Sequence, residues 1–202
     1  MLKRLTDVLL SGLGLLLLLP VFALVAVLIK LTSRGPVIFG HQRAGRGRAR
    51  LRVWKFRTMV ENASTLGGPL TLGGRDPRIT SVGHWLRKTK LDELPQLINV
   101  LVGEMSLVGP RPEAWKYVDM FPEDFTEILR VRPGITDPAS IEFRDEGAIL
   151  ARSTDPERTY IEDILPQKIR LAKTYIAQQS CWGDFRLLVN TVGRLLSDRI
   201  QR

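Results

Sequence analysis

The sequence predicts an α+β protein, mostly helical, with an N-terminal re-entrant membrane helix, interfacial amphipathic helices and a small β element. Three observations carry that prediction. Val8 to Ile29 is a run of 22 residues without a charged side chain. Apolar residues recur at helical spacing at Leu94, Leu97, Ile98 and Leu101, and again at Phe185, Leu188, Val189, Val192, Leu195 and Leu196. Period-two alternation is confined to the stretch from Arg48 to Thr58.

The apolar run comes first in the chain. As a straight helix it would be about 33 Å long, just enough for the hydrocarbon core. Lys3 and Arg4 precede it as the basic region of a signal peptide would, but no small-x-small cleavage site follows. Pro20 lies near its middle, without an amide hydrogen and with a ring that crowds the preceding turn. Both flanks are basic, Lys3 and Arg4 before and Lys30 and Arg34 after. The positive-inside rule then puts both ends in the cytoplasm, which one span cannot satisfy. A hairpin broken at Pro20, residues 1–33, is therefore expected ahead of a cytoplasmic, membrane-associated domain, 34–202. A full span is the alternative, because spanning helices tolerate proline.

Charge separates the next segment from the rest. The chain carries 30 Lys and Arg against 21 Asp and Glu, a net +9. Nine of those cations fall between Lys30 and Arg57, with no acid among them, so phosphates, lipid head groups or nucleic acid are expected there. Within the segment Val37-Ile38-Phe39 is strand-like, and Arg48, Arg50 and Arg52 alternate with apolar residues. The alternation changes phase at Val53-Trp54, which predicts a bulge or a break. Gly67 to Arg75 is Gly-rich without periodicity and reads as a mobile loop or lid. The lone Cys181 excludes an intramolecular disulfide, and two histidines, His41 and His84, argue against a His-rich metal site. With 44% hydrophobic and 25% charged residues the chain is neither disordered nor fibrous.

The chemistry concentrates at Asp92-Glu93, directly before an apolar-periodic helix with Pro95 in its first turn. Acids at a helix start ordinarily cap it and favour its dipole. Here Arg87, Lys88 and Lys90 lie just upstream, a field that keeps carboxylates ionised and nucleophilic. A helix N-terminus also suits phosphate. Soon after the helix, the rigid turn Gly109-Pro110-Arg111-Pro112 supplies an arginine fork matched to phosphate oxygens.

The motifs around these residues form one long block. Arg75-Asp76-Pro77-Arg78-Ile79-Thr80 leads to Leu91-Asp92-Glu93-Leu94-Pro95-Gln96-Leu97-Ile98-Asn99-Val100-Leu101, and Gly103-Glu104-Met105-Ser106-Leu107-Val108-Gly109-Pro110-Arg111-Pro112 follows. Outside it stand Gln42-Arg43-Gly45, Lys55-Phe56-Arg57-Thr58-Met59 and Val131-Arg132-Pro133-Gly134-Ile135-Thr136. The whole closely resembles the bacterial sugar transferases, the monotopic phosphoglycosyl transferases that start lipid-linked glycan assembly. The resemblance implies that Asp92 attacks the β-phosphate of a nucleoside diphosphate sugar, with uridine as the expected base. A polyprenol phosphate, undecaprenyl phosphate, would then take the sugar phosphate from the phospho-aspartate. It further implies Mg²⁺ held by Glu93 and Asp92, and phosphate or substrate contacts from Arg111, Lys55, Arg57, Arg132 and Arg43. Asp184, in Trp182-Gly183-Asp184-Phe185, matches a family acid at the start of the last helix, where a plain N-cap is the other reading.

The sequence departs from the family pattern twice. Leu19 precedes Pro20 where Ser is frequent, removing a hydroxyl that could satisfy a freed carbonyl, and Asp137 follows Ile135-Thr136 where many relatives have Gly. The expected partners are a nucleotide sugar, a polyprenol phosphate and membrane lipids at the cytoplasmic face of a bacterial inner membrane. A homodimer is the oligomer to test, and nucleic acid is not expected. The rival function is a non-catalytic membrane adaptor that binds anionic lipid or nucleic acid through the basic run.

Overall fold

The computed structural model describes residues 2–63, 65, 66, 70, 71 and 76–200, the side chains of 195–200 excepted. The expected lid at Gly67 to Arg75 therefore lies, but for Leu70 and Thr71, outside the described residues.

Helix α1 (Leu2–Thr32) opens the chain, 31 residues continuous through Pro20. A proline deletes one main-chain donor, and here the turns on either side carry the helix past it, so the expected break at Pro20 does not interrupt the helix. Two faces are distinct. Asp7, Ser11, Val25 and Ile29 are buried along one stripe. Leu9, Leu13, Leu16, Leu17, Leu24, Val27 and Leu31 are more than half exposed. Such a leucine face is long and apolar enough to enter a bilayer.

Strands β1 (Ile38–Ala44) and β2 (Arg50–Phe56) form an antiparallel hairpin. Its register runs without interruption from Ile38 opposite Phe56 to Ala44 opposite Arg50, so the expected bulge at Val53-Trp54 is absent. The change of phase has another cause. Lys55 shares the inward face of Leu51 and Val53 and pairs with an acid of the body, while Phe56 on the opposite face is covered by Phe22 of α1, ring centroids 5.1 Å apart. Both faces are covered at that end, and polarity stops alternating. Arg52 and Trp54 share the outer face, the guanidinium 4.6 Å from the ring centroid.

Helix α2 (Ser81–Lys88) starts at Thr80, whose hydroxyl accepts from Gly83 N at 3.0 Å. A single 3₁₀ turn, Leu91–Glu93, leads into α3 (Gln96–Val102). Its fully buried Asn99 joins it to β2: Oδ1 accepts from Trp54 N at 3.0 Å, and Nδ2 donates to Arg52 O at 2.8 Å. Strand β3 (Ser106–Val108) then pairs in parallel with β4 (Gly134–Thr136), across the intervening α4 (Trp115–Met120) and α5 (Pro122–Ile128). At Gly109 and Gly134 the two backbones touch: a Cβ on Gly134 would lie 2.1 Å from Gly109 N. Only glycine fits there.

The chain continues with α6 (Pro138–Glu142), α7 (Glu146–Leu150) and α8 (Pro156–Thr159). A five-residue π-helical turn, Tyr160–Ile164, feeds α9 (Leu165–Ala177), and α10 (Cys181–Ile200) follows. One core gathers Tyr117, Val118, Phe125, Ile128, Tyr160, Leu165 and Ile169. A second joins Val25 and Ile29 of α1 to Phe56 and Leu86. Each such aliphatic or aromatic side chain contributes about 1.5–3 kcal/mol on full burial. Helix α1 is thus fastened to the body by its own core.

Candidate active site

The acidic pair sits where the backbone is forced. Lys90, just before the 3₁₀ turn, takes φ 57°, a left-handed conformation uncommon for a residue with a side chain. Asp92 is 7% exposed, and its Oδ1 has no hydrogen-bond partner among the described residues. Neither Asp92 nor Glu93 caps α3, whose cap position is held by Pro95 without a side-chain bond. The ordinary explanation for acids at a helix start does not apply to this pair.

Opposite environments act on the two carboxylates. Burial raises Asp92 above the usual carboxylate range, with Lys55 pulling the other way and Glu93 adding to the rise. Burial would raise Glu93 too, but Arg111 and Lys55 hold it well below that range. Lys55 Nζ donates to Glu93 Oε1 at 2.7 Å, and Arg111 grips the same carboxylate with two nitrogens, NH1 to Oε2 being 3.2 Å. Glu93 is a fixed anion between two cations. Asp92 is desolvated, under-partnered and in the field of Lys55, Arg87 and Lys90. A carboxylate so placed is a competent nucleophile for an anionic electrophile that those cations would attract.

The hairpin adds an imidazole and one more cation. His41 and Arg43 lie on one face of β1, two residues apart. Burial, then Arg43, Lys55 and Arg87, push the His41 imidazole down to about 3, so it is neutral at physiological pH. Burial also lowers Arg43, whose electrostatic neighbours are Glu113 and Arg111. Arg87 donates Nε to Thr58 Oγ1 at 2.8 Å and faces Asp92. Arg111 itself is positioned by Asp137, whose Oδ2 accepts from Arg111 N at 3.2 Å while Oδ1 caps α6 through Ser140 N at 2.7 Å. The departure at Asp137 thus bears on the arginine fork.

Asp92, Glu93, Lys55, Arg111 and Arg43 are therefore brought together. Three other expected residues are engaged elsewhere. Arg57 is buried at the end of α1, donating to Ser33 O and Ser33 Oγ, both at 2.8 Å. Arg132 donates Nε to Gly103 O at 2.7 Å, just past α3. Asp184 pairs with Lys3 of α1 and accepts from Tyr175 OH at 2.7 Å, while Lys3 also donates to Val108 O at 2.9 Å. It ties α1, α9 and α10 to β3. His41 and Glu113, which the sequence did not single out, are electrostatic neighbours of this cluster. The signal for each was a two-residue spacing, from Arg43 along a strand and from Arg111 along the turn.

Hard-oxygen chemistry fits the acidic pair. Mg²⁺ takes one or two carboxylates and completes its shell with water and substrate phosphates. Asp92 offers an unpartnered oxygen beside Glu93, and no group of three or more His, Cys, Asp or Glu suited to a metal occurs among the described residues. Water and phosphate oxygens of a substrate would supply the rest.

Sequence comparison bears on the family of the chain. The family model described as bacterial sugar transferase matches residues 1–198. The chain is 39% identical to an undecaprenyl-phosphate glucose phosphotransferase of Komagataeibacter xylinus, over 98% of this chain and 36% of that protein. It is 38% identical to a UDP-glucose:undecaprenyl-phosphate glucose-1-phosphate transferase of Escherichia coli K12, over 95% of this chain and 39% of the relative. To a UDP-N-acetylgalactosamine-undecaprenyl-phosphate N-acetylgalactosaminephosphotransferase of Aeromonas hydrophila it is 37% identical, over 96% and 44%. The chain thus spans less than half the length of these curated relatives.

Proposed function

The chain belongs to the bacterial sugar transferase family, and from that premise we propose that it transfers a sugar 1-phosphate from a uridine diphosphate sugar to undecaprenyl phosphate. The observation that carries the reading is the buried Asp92 carboxylate with an unpartnered oxygen, ringed by Lys55, Arg87, Lys90 and, through Glu93, Arg111. An adaptor has no use for so costly a group. In the first step an Asp92 oxygen attacks the β-phosphorus. The bond to the bridging oxygen breaks, and uridine monophosphate leaves with the electron pair. In the second, a phosphate oxygen of the polyprenol attacks the sugar-phosphoryl aspartate, the new diphosphate forms and the Asp92 carboxylate is released. Arg111, Lys55 and Arg43 bind the diphosphate and neutralise charge that builds on the transferred group. Mg²⁺, when bound at Glu93 and Asp92, supplies further charge neutralisation.

The membrane placement is part of the same reading. Both ends of α1 dock on one body: Arg4 donates to Val100 O at 2.6 Å and to Leu101 O at 2.9 Å, while Val25 and Ile29 are buried with Phe56 and Leu86. Two docked ends, the exposed leucine face and the basic flanks support a helix that keeps both its ends on the cytoplasmic face of the inner membrane. Trp182, Phe185, Val189 and Val192 form an exposed apolar face on α10 suited to the interface. Incubation with a radiolabelled nucleotide sugar, without acceptor, should leave labelled sugar phosphate on Asp92 by peptide mass mapping. Label on another residue, or none alongside uridine monophosphate release, would overturn the covalent mechanism.

A further inference from the structure

Beside the phosphate cluster stands a second group of side chains that the chemistry above does not use. Glu113 follows Arg111 by two residues, a backbone reach of about 7 Å. Its half-buried carboxylate is held at both oxygens: Oε1 accepts from Ala114 N at 2.7 Å and Oε2 from Tyr160 OH at 2.6 Å. Tyr160, 2% exposed, packs on the Tyr117 ring with centroids 4.7 Å apart. Lys168 Nζ lies 4.9 Å from the Tyr160 ring centroid, donates to its hydroxyl at 3.4 Å and pairs with Glu146.

The direction of this chain is fixed by its ends. An ammonium is a donor only, so the Tyr160 hydroxyl accepts from Lys168 and spends its single proton on Glu113. Glu113 is therefore a pure acceptor. A carboxylate has about four lone-pair positions, and two are taken. The remaining ones suit hydroxyl donors. Tyr160 also opens the π-helical turn, and such turns recur at functional sites. Arg43 has both Glu113 and Arg111 as electrostatic neighbours, which joins the two clusters into one surface.

We propose that Glu113, held in place by Tyr160 and Lys168, reads hydroxyl groups of the donor's sugar and is a specificity-determining residue of this site. The inference rests on the transferase reading above. Arg111 engages the β-phosphate in that reading, and a sugar bonded to that phosphate reaches about as far as the Arg111-to-Glu113 step. The relatives named for glucose and for N-acetylgalactosamine are matched at similar identity, so the likeness alone does not choose the sugar. Tyr160 is a positioning residue and touches no substrate.

The test uses the full chain in nanodiscs with undecaprenyl phosphate. The donors are the best-used uridine diphosphate hexose, its analogues lacking one sugar hydroxyl each, and the 2′-deoxyribose form. Glu113→Gln should lower kcat/KM for the parent donor about 10- to 100-fold, the range for a hydrogen bond to a charged group. It should leave one sugar-deoxy analogue, already poor with the wild type, nearly unaffected. Tyr160→Phe, which keeps the packed ring, should give the same selective pattern at smaller size, about 3- to 10-fold. A uniform loss across all analogues in both variants means a merely structural role and overturns the proposal. Selectivity that appears only with the deoxyribose donor assigns Glu113 to the nucleoside and overturns it as well. If the wild type releases no uridine monophosphate from any donor, the transferase reading fails first and this inference with it.

Discussion

Asp92→Asn should abolish turnover and at the same time make the protein slightly more stable. The substitution keeps the size of the side chain and one carbonyl oxygen, exchanges the other oxygen for an amide NH2 and removes the charge. That charge is held at a cost, since a buried polar atom without a partner is worth about 1–3 kcal/mol of destabilisation. The field of Lys55, Arg87 and Lys90 offsets part of it, and the net rise above the ordinary carboxylate range means that burial wins. We expect a gain of about 1 kcal/mol at neutral pH, or a melting midpoint higher by about 2–4 °C for a chain of this size. The pH dependence has a definite sign. The folded-state value of Asp92 lies above its unfolded value, so the penalty is present above the folded value and is lost as pH falls towards the unfolded one. The gap between variant and wild type should close on acidification from neutral pH. Paired melts in one detergent, from neutral pH down into the carboxylate range, measure this directly. A variant that melts lower than the wild type at neutral pH, or a gap that widens on acidification, would refute the reasoning.

Other outcomes follow from the same contacts. Turnover should vanish in excess EDTA and return with Mg²⁺, and Glu93→Gln should remain crippled by 100-fold or more at saturating donor; full activity in EDTA would exclude the metal. Arg111→Lys keeps the charge but loses the two-pronged grip, and kcat/KM should fall about 100-fold; an unchanged value would remove Arg111 from phosphate binding. Asp184→Asn removes the charge facing Lys3 and leaves one acceptor oxygen for two donors, Lys3 and Tyr175, and should cost about 1–3 kcal/mol of stability. Turnover per folded molecule should stay within a few-fold, whereas lost turnover with an unchanged melt would make Asp184 catalytic. Leu2→Cys and Arg34→Cys, each in a Cys181→Ser background, should both be shielded from an impermeant thiol reagent on intact cells and react after lysis; outside labelling at residue 2 would mean a true span.

Hydrophobic spacing made the long helices legible. Leu97 and Leu101 of α3 lie where Gly14 and Gly12 let α1 approach, 3.4 and 3.8 Å from an added Cβ. The buried face of that helix also contains Gln96 and Asn99, which a search for apolar period overlooks. The hairpin was legible as strands but was misread at Val53-Trp54, because Lys55 turns inward for Glu93 and not for water. In the site, Asp92, Glu93 and Arg111 were legible because they crowd into 20 residues. Arg57, Arg132 and Asp184 carry the same charges in the same motif blocks, yet their partners are Ser33, Gly103 and Lys3, contacts between distant parts of the chain. Charge in a sequence marks what a residue can hold. Its partner depends on folding.

The docking of α1 also bears on how the protein can be cut. A chain begun at residue 34 would lose more than lipid contact. It would uncover Phe56 and Leu86, leave the Val100 and Leu101 carbonyls without Arg4, and take Asp7 away from Ser106 Oγ and Leu107 N, which it holds at 2.8 and 3.0 Å. Those atoms flank the far end of α3 and the strand leading to Arg111, the two supports of the acidic pair. The hydrophobic segment is a wall of the fold as well as an apolar face, and keeping the protein in solution calls for a substitute surface along the leucine face with the segment kept in place.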